Sequence, residues 1–339
     1  MRFSVLRDES DWQAGAEEWN ALLRRSVSDV PFLRFEFLRA WWETLGGGEW
    51  PDGSLWIVTG RDERGNLRSA APLFRTSAQP KSFLLLGTHE IADYLDVLAA
   101  PPDVVDLARA VLQMIEDEGP PEVNTLDLWN LPEGSPGGAA FAAAAAGGGW
   151  SIRRGRLKPC PRISLEGGWE GYLARLDKKQ RHELRRKMRR ASEHPQGTAM
   201  TRVSAGSGLD QSVDAFLHLM RLDGAKAGFL TPAMHDMFHS LTSSAAASGL
   251  LRLEFLTIGD RPAAGAYCFD YADRLWIFNS GIDPEYQSLS PGWALLGHLI
   301  WSAAEEGKLE VDFLRGDEDY KYRLGGVPRY IERITLTRP

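Results

Sequence analysis

Cysteine is scarce in this chain. Cys160 and Cys268 are the only two among 339 residues, too few for a disulfide framework and without the spacing of metal ligands. Long apolar runs are missing as well. No stretch reaches the ~18 apolar residues of a membrane span, and the opening MRFSVLRDES has no apolar leader core. A soluble, cytoplasmic protein with no membrane span is therefore expected. Basic charge is not in excess either: 39 Lys and Arg face 46 Asp and Glu, a formal net charge of −7. That balance argues against a general nucleic-acid binder and against a DNA partner, while leaving room for a local basic groove. No His-Glu-x-x-His pair, paired CxxC, Walker loop, dinucleotide glycine fingerprint or Gly-x-Ser-x-Gly elbow occurs. His182, His218, His235, His239 and His298 are scattered. His235 and His239 share an i, i+4 face, but no carboxylate follows at ligand spacing, so surface or packing roles and no metal are expected.

What is present is enough chain for two cores. At this length two domains are the default, and the sequence divides into 1–158 and 159–339. Hydrophobic content of 43% and charged content of 25% are ordinary for a globular protein. Twelve tryptophans are many, and some are expected to line a cavity or a seam. The first half reads as an edge strand Arg2–Leu6, then a helix capped by Asp11 with Trp12, Ala16, Trp19 and Leu23 on one face. An amphipathic helix in PFLRFEFLRAWWETLGGG ends at its glycines. Strands follow at Leu55–Thr59, Asn66–Phe74, Ser82–Leu86 and Tyr94–Leu98. A helix from Pro102 to Glu118, a strand Thr125–Trp129, an alanine-rich helix Phe141–Ala146 and a strand Trp150–Leu157 complete this half. KPCPRISLEGG, with its two prolines, reads as the crossing. The second half reads as a long helix Trp169–Glu193, a strand Met200–Val203 and helices Gln211–Leu222 and Pro232–Ser248. Three antiparallel strands come next, Leu251–Ile258, Ala263–Tyr271 and Arg274–Ser280. A helix Pro291–Gly307 and strands Leu309–Phe313 and Arg329–Leu336 end it. The two halves repeat an architecture without repeating a sequence.

Three stretches carry chemistry. In LEVDFLRGDEDYKYRLGGVPRY an apolar strand runs into Arg315, Asp317, Glu318, Asp319, Tyr320, Lys321 and Arg323. A rigid strand that ends in a dense polar loop can aim a site, although such loops also simply face water. In NSGIDPEYQSLSPG a strand leads to a helix that opens at Ser290-Pro291-Gly292. Ser290 suits an N-cap, and the helix start offers N–H groups to an anion, though capping alone accounts for Ser-Pro. In LARLDKKQRHELRRKMRRASE, Lys178, Arg181, Arg185 and Arg189 fall on one stripe against few acids. Such a stripe fits an anionic partner or a solvated face equally. Glu183, inside it, is expected to matter little.

The order Leu-x-x-Leu-x-Lys-Lys-x-Arg-x-x-Leu-Arg-Arg-x-x-Arg-Arg, then Phe-Asn-Ser-Gly-x-Asp-Pro-Glu-Tyr with Leu-Ser-Pro-Gly, then Asp-Phe-Leu-Arg-Gly-Asp-Glu-x-Tyr-Lys-Tyr-Arg resembles the cellulose-biosynthesis (CelD-type) acetyltransferases. These belong to the GNAT superfamily, near the Fem-type peptidyltransferases. The motifs cover roughly 169–326, and PFLRFEFLRAWWETLG resembles the family's N-terminal helix. The resemblance implies an α/β (α+β) fold of two tandem GNAT-like domains, each a mixed, mostly antiparallel sheet flanked by helices. It implies N-acyl transfer from acetyl-CoA or another acyl-CoA to a small-molecule or peptide amine, without a metal. Strands Arg274–Ser280 and Leu309–Phe313 would splay to admit the thioester arm, with Asn279, Ser280, Ser290 and Gly292 holding the donor. Asp317 or Glu318 would act as base or hold the amine, Tyr320 would protonate the leaving thiolate, and Lys321 and Arg323 would stabilise negative charge. Arg315, with Lys178, Arg181 and Arg185, would bind the substrate. One departure matters: the family's glycine-rich Gln/Arg-x-x-Gly-x-Gly/Ala loop is replaced here by Tyr286 to Gly292, with one glycine. Alternative donors are therefore an acyl carrier protein thioester or a charged tRNA, as in the Fem-type transferases. A non-catalytic binding protein of a polysaccharide-biosynthesis cluster is the third reading.

Overall fold

The computed structural model describes residues 1–78, 80–206 and 208–338. The chain forms two compact units, Met1–Lys158 with the residues from Tyr330 onward, and Pro159–Arg329. The last strand thus sorts with the first unit and not with the second half, where sequence order had put it.

In the first unit β1 (Arg2–Leu6) precedes α1 (Glu9–Ala14), α2 (Ala16–Leu23), α3 (Phe35–Glu43) and the short α4 (Leu45–Gly48). Asp8, not Asp11, caps α1 by accepting from the Ser10 N–H at 2.7 Å. Then come β2 (Ser54–Arg61), β3 (Leu67–Thr76), β4 (Ser82–Leu85), β5 (Leu98–Ala99), α5 (Val104–Glu118), β6 (Thr125–Pro132), α6 (Pro136–Gly147) and β7 (Ser151–Ser164). The expected strand at Tyr94–Leu98 shrinks to β5, because Tyr94 sits at φ 54°, outside the extended region. Strand order is β1-β2-β3-β4-β6, with β5 beside β3 and the chain's final strand beside β6. Apart from the parallel β4/β6 pair these are antiparallel. Trp41, Phe74, Phe32 and Phe37 pack edge-on or tilted in the core.

In the second unit the far half of β7 leads into α7 (Gly168–Arg175), α8 (Lys178–Ser192), β8 (Thr198–Arg202), α9 (Leu209–Arg221), α10 (Gly224–Ala227) and α11 (Pro232–Ala247). The remainder is β9 (Leu251–Ile258), β10 (Arg261–Tyr271), β11 (Arg274–Ile282), α12 (Pro291–Glu305), β12 (Glu310–Asp312), α13 (Asp319–Arg323) and β13 (Val327–Thr337). The expected single helix over 169–193 is two, because Asp177 starts α8 afresh by accepting from Gln180 N–H at 2.8 Å. The KPCP prolines lie inside β7 rather than in a loop, and the charged run at 319–323 is a short helix rather than an open bend. Strand order is β7-β12-β11-β10-β9-β8, parallel only between β12 and β11. Both units are mixed α/β with mostly antiparallel sheets flanked by helices. In both, the last strand of an antiparallel run pairs parallel with a strand reached through a helix, β4 with β6 and β11 with β12. Helices α9 and α12 pack on β10 and β11. The core beneath α12 gathers Leu275, Ile277, Leu295, Leu299, Ile300 and Val311, each worth about 1.5–3 kcal/mol when fully buried.

Candidate active site

The site is built where β11 and β12 part. Their parallel pairing lasts three residues: Arg274 with Glu310, Leu275 with Val311, and Trp276 with Asp312. Beyond that β11 runs on to Ile282, paired among the described residues only with β10, while the chain after β12 turns towards β7. Phe313 N–H donates to the Pro161 carbonyl at 3.0 Å and Gly316 N–H to that of Pro159 at 2.9 Å. Asp312 directs this turn. Its buried carboxylate accepts from the Leu314 N–H at 2.7 Å and pairs with Arg162 Nε at 2.8 Å. Leu314 then takes a left-handed φ of 56°, and Gly316 a φ of 136° that a side chain rarely adopts. On the other side of the fork a bulge makes Phe278 the extra residue of β11, since Tyr267 and Cys268 pair with Asn279 and Ile277.

A cavity of about 380 Å³ opens beside the far end of β11. Gly265, Ser280, Gly281 and Ile282 line it from the sheet, Ser290, Gly292 and Trp293 from the start of α12, Lys187 from α8 and Tyr320 from α13. Ser290 does not cap α12 with its side chain as expected. It sits at φ 55°, and its carbonyl already accepts from the N–H groups of Trp293 and Ala294. Tyr320 packs edge-on against Phe313, with ring centroids 6.1 Å apart. Burial, reinforced by the Glu318 charge, holds its hydroxyl protonated well above the usual tyrosine range.

Of the residues expected to act, Ser280, Ser290, Gly292 and Tyr320 therefore meet at one cavity. Asp317, Glu318, Arg315, Arg323 and Asn279 do not line it. Asp317 is exposed and accepts from the Tyr322 hydroxyl at 2.5 Å. Lys321 is buried, and its Nζ donates to the Leu314 and Arg315 carbonyls at 3.2 and 2.9 Å and pairs with Glu318 at 3.0 Å. It clasps the turn after the fork and does not present a free cation to the cavity. Lys178 and Arg185 are exposed on α8 and Arg181 half-buried, none of them lining the cavity.

Three contributors escaped the sequence reading. Lys226 of α10 reaches β11, donating to Asn279 Oδ1 at 3.1 Å and the Ser280 carbonyl at 2.6 Å, and burial pushes its ammonium pKa down. Lys187 lies 3.8 Å from the Trp293 ring centroid on the cavity wall. Glu183 ties Arg323 (2.5 Å) and Lys187 (3.1 Å) together, and Arg323 in turn stacks on Trp293 at 5.0 Å. The Arg323 hydrogen bond is the chief reason its carboxyl stays below the usual range. Glu183 is thus more than the bystander it had read as. A depressed carboxyl pKa stabilises the fold above the ordinary glutamate range and loses that contribution as pH falls through the folded value. Glu183→Ala should cost about 1 kcal/mol or less after solvent screening. Urea melts of both proteins should differ at pH 7 and converge as pH falls through the depressed Glu183 value, and equal midpoints at pH 7 would remove Glu183 from the cavity's support.

Comparison with known proteins agrees with this fold. A family model described as an acetyltransferase (GNAT) domain matches residues 178–322. Those residues are a GNAT domain. The fold of the whole chain is shared with FemX, at a TM-score of 0.69 and 11% identity over 98% of this chain and 97% of that one. L-PGS from Bacillus licheniformis gives 0.59 and 11% over 94% and 90%. A tandem GNAT protein from the clavulanic acid biosynthesis pathway gives 0.53 and 14% over 100% and 99%. The search of curated proteins found no match. Among the described residues no helix is long and apolar enough to cross a membrane.

Proposed function

We propose that this chain is an N-acyltransferase that moves an acyl group from a thioester, acetyl- or another acyl-CoA, to an amine within the GNAT domain. The carrying observation is the cavity beside the far end of β11, which joins a strand edge left without β12, a helix start and a half-buried tyrosine. An extended thioester arm fits such an edge, because β11 beyond Trp276 has no strand partner on its β12 side among the described residues. The amine nitrogen attacks the thioester carbonyl, the carbon–sulfur bond breaks, and Tyr320 gives its proton to the departing thiolate. The proton lost by the amine passes to solvent, which restores the tyrosine. Lys226 fixes the strand at Asn279 and Ser280, and Lys321 fixes the turn that carries Tyr320. Asp317 and Glu318, being exposed, suit capture of the incoming amine at the rim. Cytoplasmic location and the narrower cellulose-biosynthesis likeness belong to the same proposal.

A second reading, transfer from a charged tRNA, is favoured by the exposed basic face of α8 with Lys178, Arg185, Arg186, Arg189 and Arg190. It also suits the start of α12, where Pro291 has no N–H and that of Trp293 is taken by the Ser290 carbonyl, so fewer remain for a pyrophosphate. Calorimetric titration with acetyl-CoA should give saturable heat with one site per chain. No heat at millimolar donor sinks the CoA reading. In that case tRNA retention on filters, falling steeply between two salt concentrations, supports the second reading. Absence of both leaves a non-catalytic binding protein.

A further inference from the structure

Among the described residues, one cluster unrelated to the cavity brings metal-ligating side chains together. Helix α9 presents Asp210 and Asp214, and α11 presents His235 and His239, each pair four residues apart and therefore on one face of its helix. Asp214 Oδ1 lies 2.9 Å from His239 Nε2 and 3.2 Å from His235 Nε2. One ligand atom from each of Asp214, His235 and His239 falls within 4.8 Å of the others. Tetrahedral zinc, with bonds near 2.0–2.1 Å, needs ligand atoms about 3.3 Å apart.

We infer that Asp214, His235 and His239 bind a single divalent transition-metal ion, Zn²⁺ by their chemistry, with water in the fourth position. The carboxylate precedes the histidines by a whole helix instead of following them, which is why their spacing alone had suggested no metal. Two features favour an ion over a plain hydrogen-bonded cluster. Both imidazole Nε2 atoms converge on the same carboxylate oxygen. In addition, His239 Nδ1 faces a second carboxylate, Asp210 Oδ1, at 3.5 Å. The ring is thus flanked by a carboxylate at each nitrogen, Asp214 on the Nε2 side and Asp210 on the Nδ1 side. With a metal on Nε2, the Nδ1–H donates to Asp210, the usual outer partner of a metal-bound histidine. The helices that carry the ligands are held in register by Phe216 against Phe238, 6.2 Å apart. The ion ties α9 to α11. Helix α9 lies so close to the cavity wall that a Cβ on Gly281 would meet the Leu219 backbone at 2.7 Å.

The test uses the full chain, stripped of metal with a chelator and then titrated with Co²⁺ and with Zn²⁺. One equivalent of Co²⁺ should produce the intense visible bands of four-coordinate cobalt, bleached by Zn²⁺, and Zn²⁺ should raise the thermal midpoint. His239→Ala should weaken Zn²⁺ binding by about 100-fold or more, and Asp210→Asn by about 10–100-fold while retaining the cobalt spectrum. The exposed-histidine control His182→Ala should bind as wild type does. Only the pale spectrum of six-coordinate cobalt, or equal Zn²⁺ affinity in wild type and both cluster variants, overturns the assignment. Should His239→Ala fail to fold, Asp214→Asn, at an exposed ligand, decides the matter by the same loss of Zn²⁺ affinity.

Discussion

Tyr320→Phe is expected to lower turnover by about 10²-fold or more, with donor affinity and thermal midpoint close to wild type. The ring sits against Phe313 on the cavity wall, so removing the hydroxyl leaves the packing in place. What is lost is a proton that burial and the Glu318 charge keep on the oxygen far into the alkaline range. A thiolate leaving without that proton must accumulate full charge in an apolar pocket, where water solvates it poorly. The sign of the shift also predicts the pH profile. A raised acid pKa keeps the donor form populated, so wild-type turnover should show no alkaline fall from this group through about pH 10. Thiol release followed continuously across pH in both proteins checks both statements. Unchanged turnover in the variant would take Tyr320 out of the proton transfer and return the bend around it to a structural role.

Asp312→Ala is expected to cost the fold about 3–5 kcal/mol, because it strands the Arg162 guanidinium in a largely buried position. Arg162 keeps a second partner, Glu310 at 3.2 Å, which places the loss towards the lower end. The same change removes the acceptor for Leu314 N–H and with it the support for the left-handed residue that turns the chain away from β11. The fork should therefore loosen, and donor binding should fall with stability. Asp312→Asn keeps an oxygen for Leu314 and loses only the charge, so it should sit between wild type and Asp312→Ala. Urea unfolding reports the stability order through the midpoint at constant slope. If the alanine variant is as stable as wild type, the carboxylate does not hold the fork, and the strand parting must come from β7 alone.

Most helices and strands of both units were legible in the sequence, since long apolar periodicities at 2 and 3.6 residues report burial directly. Local cues were misread where two candidates competed. Asp8 and Asp11 both suit a cap, and only the backbone shows which accepts from the first turn. The break at Asp177 was present as an Asp followed by Gln180 three residues on, but continuous basic residues masked it as one helix. A helix of five residues such as α13 is too short for any period to show. The resemblance in the motif order pointed to the right superfamily domain, and four of the residues it singled out, Tyr320, Ser280, Ser290 and Gly292, line one cavity. It could not tell that Lys321 is spent on backbone carbonyls, or that Asp317 and Glu318 stand outside the cavity.

By itself, then, the sequence determined the elements, the two-core plan and the stretch after Phe313 in which to look, because these follow from patterns between near neighbours along the chain. Only the tertiary structure decided where two strands separate, which lysine reaches the gap, and that the aspartates of α9 meet the histidines of α11. Such meetings depend on how helices land on a sheet, and residues dozens of positions apart leave no spacing from which that landing can be read.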